Sequence, residues 1–263
     1  MRKRGPIALL TDFGTRDPFV GVMKGVILSI QPSCQMVDIT HQIPPQDIQE
    51  AAFALRSARG YFPRGTIFLC VVDPGVGTTR RPIVVESGGQ LFVAPDNGLL
   101  SLVEPIRKMA RIENKQLFLR PVSRTFHGRD IFAPVAAHLA RGIALGRVGP
   151  SIRRIRRLDL PTAIRKGGQV LGEVIRIDRF GNLITNLRPG DLPASSRQVF
   201  RVGRKTIRGI SRSYEEGASG EPLAILGSEG FIEIAVRDGS AMNALRVRRG
   251  ARVTAGSEEP KKK

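Results

Sequence analysis

An acid and a guanidinium stand on either side of a glycine-rich turn in the first half of the chain. The apolar run at residues 66–72 ends abruptly in Asp73, and Arg80 follows the turn Pro-Gly-Val-Gly at residues 74–77. A run of β-branched and large apolar residues closed by Pro and Gly predicts a buried parallel strand. Ligands of open α/β sheets bind at the carboxyl ends of such strands, so Asp73 and Arg80 are candidates for acid–base or charge-stabilising chemistry. An equally good interpretation is purely structural: Asp73 ends a strand and Arg80 is a surface residue after a turn.

A histidine at a predicted loop-to-helix junction is the next candidate. His127 precedes Gly128 and a helix predicted from about Ile131 to Arg141. A lone histidine is more often a structural group than a catalyst, but catalytic residues concentrate in loops that a rigid scaffold positions. Asp96 and Asn97 also follow a predicted strand, and we interpret them as turn formers because such side chains bond to nearby backbone groups.

The elements that would position these residues alternate between strands and helices. Such alternation predicts a large α/β domain with a mostly parallel sheet that is covered on both faces. The predicted helices are Phe19 to Ile30 and the segment from a cap at Asp47 to about Ala58, and the predicted strands cover residues 7–10, 36–39, 66–72, 83–85 and 91–94.

The basic, Pro-containing stretch from Gly149 to Gly168 is the predicted boundary between domains. After it, short strand-like runs punctuated by Gly, Pro and Asn predict a small antiparallel β-barrel domain with no clear helix. The expected organisation is an N-terminal α/β catalytic domain at 6–155, a basic linker at 156–168, a C-terminal β-barrel domain at 169–255 and a flexible tail at 256–263.

The composition limits the class of protein. The chain has 263 residues, of which 41% are hydrophobic and 25% charged, and this balance supports a globular core. No apolar run is long enough to cross a bilayer, and the basic start lacks the apolar centre of a secretory signal. Cys34 and Cys70 are expected to be buried thiols of a cytoplasmic protein. No cluster of Cys and His has zinc-ligand spacing, so no metal is expected.

The net charge of +19 would attract nucleic acid or anionic membrane surfaces at low salt. No RNA-binding aromatic motif accompanies the charge, and aromatic residues make up only 5% of the chain. We therefore interpret the basic runs as solvated, expect no membrane partner and disfavour a nucleic-acid role. These runs lie at residues 2–4, 153–157, 246–249 and 261–263.

Several short blocks occur in the order in which they are found in one enzyme family. The chain resembles the S-adenosyl-L-methionine (SAM) hydroxide adenosyltransferases, also called SAM hydrolases, which are relatives of fluorinating and chlorinating enzymes that use the same substrate. The resemblance extends from about Ile7 to about Thr254. The blocks are Thr-Asp-Phe-Gly at 11–14, Asp-Pro-Gly-Val-Gly-Thr at 73–78, Ala-Pro-Asp-Asn-Gly at 94–98, Thr-Phe-His-Gly-Arg-Asp at 125–130 and Asp-Arg-Phe-Gly-Asn at 178–182.

The resemblance implies a fold, an assembly and a catalytic set. The fold is a large α/β domain joined to a small β-barrel, and the assembly is a homotrimer whose active sites lie between the large domain of one subunit and the small domain of its neighbour. Asp73, Arg80 and His127 match the residues that position and activate a water in the hydrolase branch, which uses no cofactor. The halogenating branch has aromatic hydroxyl residues at the aligned Asp and His positions, and Gly128 stands where the fluorinating enzyme has a halide-binding serine.

The resemblance also implies substrate contacts in both domains. The implied contacts are Asp12 with the ribose hydroxyls, Asp17 and Asp178 with the methionine ammonium, Phe180 and Asn182 with adenine, and Ser228 with the methionine carboxylate. The small domain departs from the halogenase pattern, because Glu229 replaces an arginine for that carboxylate and Arg237 lies near an asparagine-like position of the adenine loop.

The expected reaction is hydrolysis of SAM to adenosine and L-methionine by attack of an activated water at C5′ of the ribose. The sulfonium is already a good leaving group, whereas bulk water, with a pKa of about 15.7, is a poor nucleophile. His127 or Asp73 can accept the proton, and Arg80 can hold Asp73 ionised. The alternatives are halide transfer to C5′ and a basic adenosine- or nucleic-acid-binding protein without turnover.

Overall fold

The computed structural model describes residues 5–193 and 198–257. The chain forms two compact units, a first unit up to Leu158 and a second unit from Asp159. The basic runs at 2–4 and 261–263, and residues 258–263 of the expected tail, lie outside the described residues. The finer domain boundaries stay a prediction.

The first unit contains a six-stranded sheet in which β2, β1, β3 and β5 run parallel as neighbours. β4 is antiparallel to both β5 and β6, so the prediction of a mostly parallel sheet is confirmed, with an antiparallel edge that includes the unpredicted β6. The order is β2-β1-β3-β5-β4-β6, and the strands are β1 (Ile7–Thr11), β2 (Met36–Thr40), β3 (Ile67–Val71), β4 (Pro82–Ser87), β5 (Gln90–Pro95) and β6 (Ile106–Arg111).

Helices cover both faces of this sheet, as its uniformly apolar central strands require. Helices α1 (Phe19–Ile30) and α3 (Ala133–Ala140) pack in the apolar core on one face, and α2 (Ile48–Arg59) packs in the core on the other. In α1 the buried side chains are Val20, Met23 and Ile27, which lie three and four residues apart and so form one stripe. α2 begins at the predicted cap, where Asp47 accepts the backbone N–H of Glu50 at 3.0 Å.

The helix predicted from Ile131 begins differently in the structure. One π-helical turn covers Gly128–Phe132, and α3 follows directly. In a regular helix the carbonyl of Asp130 would accept the N–H of residue 134, but Pro134 has none. That carbonyl instead accepts the backbone N–H of Leu119 at 2.9 Å. The helix predicted from about Ile131 to Arg141 is therefore present, with its first residues in a π-helical turn.

The second unit is an antiparallel sheet that nearly closes into a barrel, as predicted. Its order is β11-β10-β14-β8-β9-β13-β12, with β7 added on β8. The strands are β7 (Ile164–Lys166), β8 (Gln169–Ile177), β9 (Leu183–Thr185), β10 (Gln198–Val202), β11 (Lys205–Arg208), β12 (Pro222–Leu226), β13 (Ile232–Val236) and β14 (Arg252–Ser257).

Two details of the second unit differ from the expectation. A short helix, α4 (Ala241–Leu245), follows Ser240, whose side chain accepts the N–H of Asn243 at 3.3 Å and caps it. Gly256 and Ser257 lie in β14, where Ser257 pairs with Gln198, and are not part of a tail. No helix among residues 5–193 and 198–257 is long and apolar enough to cross a membrane.

Candidate active site

Three neighbouring parallel strands end at one edge of the first sheet, and each is followed by an acid. Register pairs Thr11 of β1 with Val71 of β3 and aligns β3 with β5. Asp12, Asp73 and Asp96 follow these strands within two residues. Open α/β sheets bind ligands at this edge. Asp73 was predicted to follow a strand there, and the fold places all three acids at this edge.

The turn after Asp73 is tight because backbone and side chain close it together. The carbonyl of Gly75 accepts the N–H of Thr78 at 3.1 Å and its hydroxyl at 2.7 Å. Gly77 has φ +77°, and a Cβ there would lie 2.4 Å from the carbonyl oxygen of Arg124. Only glycine fits that position. The turn therefore returns the chain to Asp73 and packs against the segment that leads to His127.

Asp73 and Arg80 form a forked ion pair that is almost fully buried. Nε of Arg80 lies 2.9 and 3.0 Å from the two carboxylate oxygens, and Nη2 lies 2.5 Å from Oδ2. The side chains of Arg80 and Asp73 are only 9% and 5% exposed. The guanidinium also lies over the ring of Phe132, 5.3 Å from its centre. Charge-assisted forked pairs of this kind are strong and fix the guanidinium plane.

Arg80 also contacts His127, with Nη2 only 2.7 Å from Nδ1. A guanidinium has no acceptor, so Nδ1 accepts this bond and the neutral ring carries its proton on Nε2. Burial, followed by the charge of Arg80, lowers the pKa of His127. Asp73, Asp130 and a hydrogen bond to the backbone of Ser123 act in the opposite direction. The imidazole is therefore neutral at pH 7, and Arg80 lies between it and Asp73.

The loop that carries His127 is held by Asp130, which is fully buried. Its carboxylate accepts the backbone N–H of Ser123 at 2.7 Å and two bonds from Arg129, at 2.6 and 3.0 Å. The guanidinium of Arg129 in turn lies over the ring of Phe126 at 5.2 Å. Asp130 was predicted only as part of a block, although an acid in the first turn after a candidate histidine was the available signal.

Asn97 does more than form a turn. It accepts the backbone N–H of Leu99 at 3.2 Å, as the turn prediction requires. Its amide also donates to the carbonyl of Val72 at 2.8 Å, directly beside Asp73. Asp96 accepts Nε of Arg81 at 2.8 Å. The strand-end loop after β5 thus restrains the backbone from which Asp73 projects, a link that the sequence did not indicate.

Asp12 and Asp17 lie on the loop between β1 and α1. Asp12 is half-buried, and its Oδ2 accepts the backbone N–H of Gln46 at 2.8 Å. Asp17 is exposed on the wall of an open cavity of about 440 Å³, which Arg16 and His41 also line. In the first unit the structure therefore brings together Asp73, Arg80 and His127 by direct contact, and places Asp12 at the same sheet edge.

Three of the second unit's predicted substrate residues share one loop. Asp178 accepts the backbone N–H groups of Phe180 at 2.9 Å and Asn182 at 2.8 Å, and its other oxygen accepts Nδ2 of Asn182 at 2.9 Å. The ring of Phe180 is 76% exposed, whereas Asn182 is buried. Ser228 is exposed on a separate turn. The Asp178 carboxylate thus organises this loop.

The two departures from the family pattern have partners within the second unit. Glu229 lies 3.2 Å from Arg176, and Arg237 donates to the backbone carbonyls of Glu215 and Gly217 at 3.1 and 3.3 Å. Glu233 is buried nearby, and its pKa is raised by burial, then by Asp178 and Glu229, against a smaller lowering by Arg176. Within the described parts of both units, no three His, Cys, Asp or Glu side chains are grouped to hold a metal.

Comparisons with known proteins agree with this architecture. The model of the SAM hydroxide adenosyltransferase N-terminal domain matches residues 7–149, and that of the C-terminal domain matches residues 172–254. An (R)-S-adenosyl-L-methionine hydrolase from Thermus thermophilus is 41% identical over 93% of this chain and 97% of its own. The crystal structure of an uncharacterised conserved protein from Thermotoga maritima has a TM-score of 0.88 and 40% identity, covering 95% of this chain and 99% of its own.

A fluorinase from an Actinoplanes species is a more distant relative, 29% identical over 87% of this chain and 90% of its own. The family models together span most of the sequence, and the hydrolase matches nearly the whole chain at well above 30% identity. By its sequence, its two-part fold and the residues at the edge of its first sheet, the chain belongs to the SAM hydroxide adenosyltransferase family.

Proposed function

We propose that this protein hydrolyses S-adenosyl-L-methionine to adenosine and L-methionine, with water as the nucleophile at C5′ of the ribose. The observation that carries the proposal is the contact of Arg80 with both Asp73 and His127 at the ligand-binding edge of the sheet. Relatives named (R)-S-adenosyl-L-methionine hydrolase support the substrate class and point to the (R) configuration at sulfur.

The proposed mechanism gives each catalytic residue one task. Carboxylate oxygens have more lone pairs than the bonds from Arg80 occupy, so Asp73 accepts the proton of the attacking water. The guanidinium charge of Arg80 stabilises the hydroxide-like oxygen that forms. His127 has its Nδ1 lone pair occupied by Arg80, and its proposed role is to hold the guanidinium in place.

The sulfonium needs no acid, because methionine leaves as a neutral thioether. Attack of an anionic oxygen on a cationic centre cancels charge in the transition state, so a site with little water favours it over separated ions. The exposed fractions of 5% for Asp73 and 9% for Arg80 support such an environment. In-line placement of the water against the C5′–sulfur bond supplies the rest of the acceleration.

Substrate contacts follow the resemblance and are part of the proposal. A carboxylate that accepts two hydrogen bonds suits the ribose diol, the role proposed for Asp12. The exposed ring of Phe180 suits stacking on adenine, with Asn182 bonding to its edge. The remaining contacts are those of Asp17 and Asp178 with the ammonium and of Ser228 with the carboxylate.

We further propose a homotrimer with active sites between subunits and a cytoplasmic location. The α1 surface supports an assembly, because Phe19 and Val22, three residues apart on one side of the helix, are 42% and 37% exposed. Large apolar side chains gathered on one exposed face are typical of subunit contacts. The proposed cytoplasmic location is supported by the cysteines. Cys34 and Cys70 are both free thiols, as is usual in a reducing compartment.

One assay tests the function. Purified protein is supplied separately with the (R) and (S) epimers of SAM in ¹⁸O-labelled water, with and without chloride, and the products are separated by chromatography. We expect 5′-¹⁸O adenosine and methionine from the (R) epimer. Unlabelled adenosine would refute water attack, a 5′-halogenated product would support halide transfer instead, and binding without product would support the adenosine-binding alternative.

A further inference from the structure

A chain of polar side chains runs behind the loop that carries Asp12. Nζ of Lys24 lies 2.6 Å from one oxygen of Asp38, and Nε2 of His41 lies 3.0 Å from the other. Nδ1 of His41 lies 2.8 Å from the hydroxyl of Thr11, the residue before Asp12. His41 is 5% exposed and Thr11 is fully buried. The sequence alone indicated no role for these contacts.

One proton arrangement links Thr11 to both His41 and Phe13. With its proton on Nε2, which faces the Asp38 carboxylate at 3.0 Å, His41 accepts the hydroxyl proton of Thr11 at Nδ1. The oxygen of Thr11 is then free to accept the backbone N–H of Phe13 at 3.3 Å. The buried imidazole thus holds Thr11 in one rotamer, and the Thr11 oxygen in turn holds the Phe13 amide.

His41 also anchors the far end of the same loop. Its backbone carbonyl accepts the N–H of Gly14 at 2.7 Å. Five residues further on, Gln46 donates its backbone N–H to Oδ2 of Asp12 at 2.8 Å. The loop from Thr11 to Gly14 is therefore attached at both ends to His41, while the Asp12 carboxylate is attached to the same β2–α2 connection.

We propose that His41 is a positioning residue for ribose recognition, holding Asp12 through Thr11 and Gly14 so that the Asp12 carboxylate meets the substrate diol. The inference rests on the proposed function, which gives Asp12 that diol. Phe13 extends the effect, since its ring packs edge-on against Phe126 at 5.9 Å, next to His127. Lys24 and Asp38 serve to fix the imidazole orientation.

The test uses two ligands that differ only in the ribose diol. Dissociation constants of adenosine and 2′,3′-dideoxyadenosine are measured by calorimetry on the intact protein, and SAM turnover is measured in parallel. The variants are His41→Leu, Thr11→Val, which keeps the shape but removes the hydroxyl, and Thr11→Ser, which keeps the hydroxyl. Asp12→Ala gives the full loss of the diol contact, and thermal melts show that each variant is folded.

We expect Thr11→Val and His41→Leu to weaken adenosine binding about tenfold, the typical worth of one hydrogen bond to a charged group. Binding of 2′,3′-dideoxyadenosine should stay unchanged, KM for SAM should rise more than kcat falls, and Thr11→Ser should restore the wild-type values. Combined with Asp12→Ala, neither change should add to the loss for adenosine.

Two outcomes overturn the inference while leaving the function standing. The first is wild-type SAM turnover with unchanged adenosine affinity in Thr11→Val and His41→Leu. The second is an equal loss for both ligands, which a general destabilisation of the unit would cause. Failure of the proposed function is recognised separately, because the wild-type protein itself would then release no adenosine from either SAM epimer.

Discussion

Nη2 of Arg80 lies 2.7 Å from Nδ1 of His127, and this contact fixes which nitrogen of the ring carries the proton. Because the guanidinium can only donate, the imidazole is an acceptor at Nδ1 and neutral. A histidine in that state cannot also take a proton from water at Nε2, where a hydrogen already sits. The sequence left the proton acceptor open between His127 and Asp73, and the contact favours Asp73.

Replacing Arg80 by Lys should lower kcat on the order of a hundredfold, the size of an electrostatic contact to the reacting oxygen. A lysine keeps the charge, but a single ammonium cannot form the fork to Asp73 and reach His127 as well. Steady-state kinetics with SAM provides the measurement. Arg81→Lys is the matched control, since Arg81 also pairs with an acid, Asp96, outside the proposed mechanism, and should retain most activity.

Asp73 and His127 should behave as one unit with Arg80. Asp73→Asn and His127→Ala should each reduce kcat on the order of a hundredfold or more, while the dissociation constant for adenosine stays close to that of the wild type. The double variant should be little worse than the worse single variant, because either change already disrupts the arrangement around Arg80. Strictly multiplicative losses, or near wild-type turnover in both single variants, would contradict the shared role.

The pH dependence of kcat/KM should have its acid limb below 6.5. Burial and Arg80 lower the pKa of His127, so its protonation, which would remove the acceptor for Arg80, is half complete only below the ordinary histidine pKa of about 6.5. The rate profile between pH 5 and 8 tests this. His138→Gln, a change at the histidine within α3, should leave the profile unaltered. A half-maximal rate at or above pH 6.5 would argue against a neutral, Arg80-bound imidazole.

Glu233→Gln should stabilise the protein at pH 7. The pKa of Glu233 is raised in the folded state by burial and by neighbouring acids, so its ionised form is disfavoured there. For an acid with a raised pKa, stability is greatest below the unfolded pKa of about 4.3 and falls as pH rises through the folded value. Thermal melts should show a higher Tm for Glu233→Gln at pH 7 and no gain near pH 4.

The exposed Glu221 supplies the control for that comparison, because its side chain is 62% exposed beside Lys205. Glu221→Gln should leave Tm unchanged at both pH values, as exposed pairs of this kind contribute little. Equal shifts in both variants would mean that net charge, and not the buried position of Glu233, governs the effect.

A shared active site predicts that two inactive chains complement each other. Asp12→Ala removes the proposed ribose contact in the first unit, and Asn182→Ala removes the proposed adenine contact in the second. Co-expression should restore roughly a quarter of wild-type activity, because random mixing in a closed ring pairs the intact halves that often. Light scattering verifies assembly of each variant. No recovery, or full activity of a wild-type monomer, would contradict sites between subunits.

The sequence predicts what depends on periodicity and on strand ends. Residues 19–30 form the expected helix because Val20, Met23 and Ile27 follow the helical spacing, and Asp73 follows a buried strand as its apolar run required. Hydrophobic periodicity and turn-forming residues are local features, so a single sequence is enough to identify them.

The links that matter for the site are not local, which explains why the sequence missed them. Asn97 reaches the carbonyl of Val72 across 25 positions, and His41 reaches Thr11 across 30. Such contacts depend on which strands become neighbours, and that order is set by the packing of the whole sheet. Arg80 was a candidate from the sequence, but only the folded structure shows that it lies between Asp73 and His127.

The π-helical turn before α3 decides the direction in which His127 faces. Ala133 donates to the carbonyl of Gly128, five residues back, while Pro134 offers no amide to Asp130. Each residue of a regular helix advances the chain by about 100° around the axis. Replacing the π-helical turn by a regular α-helical one would therefore rotate the preceding residues, including His127, by about that angle. The direction of the imidazole therefore depends on this single turn between His127 and α3.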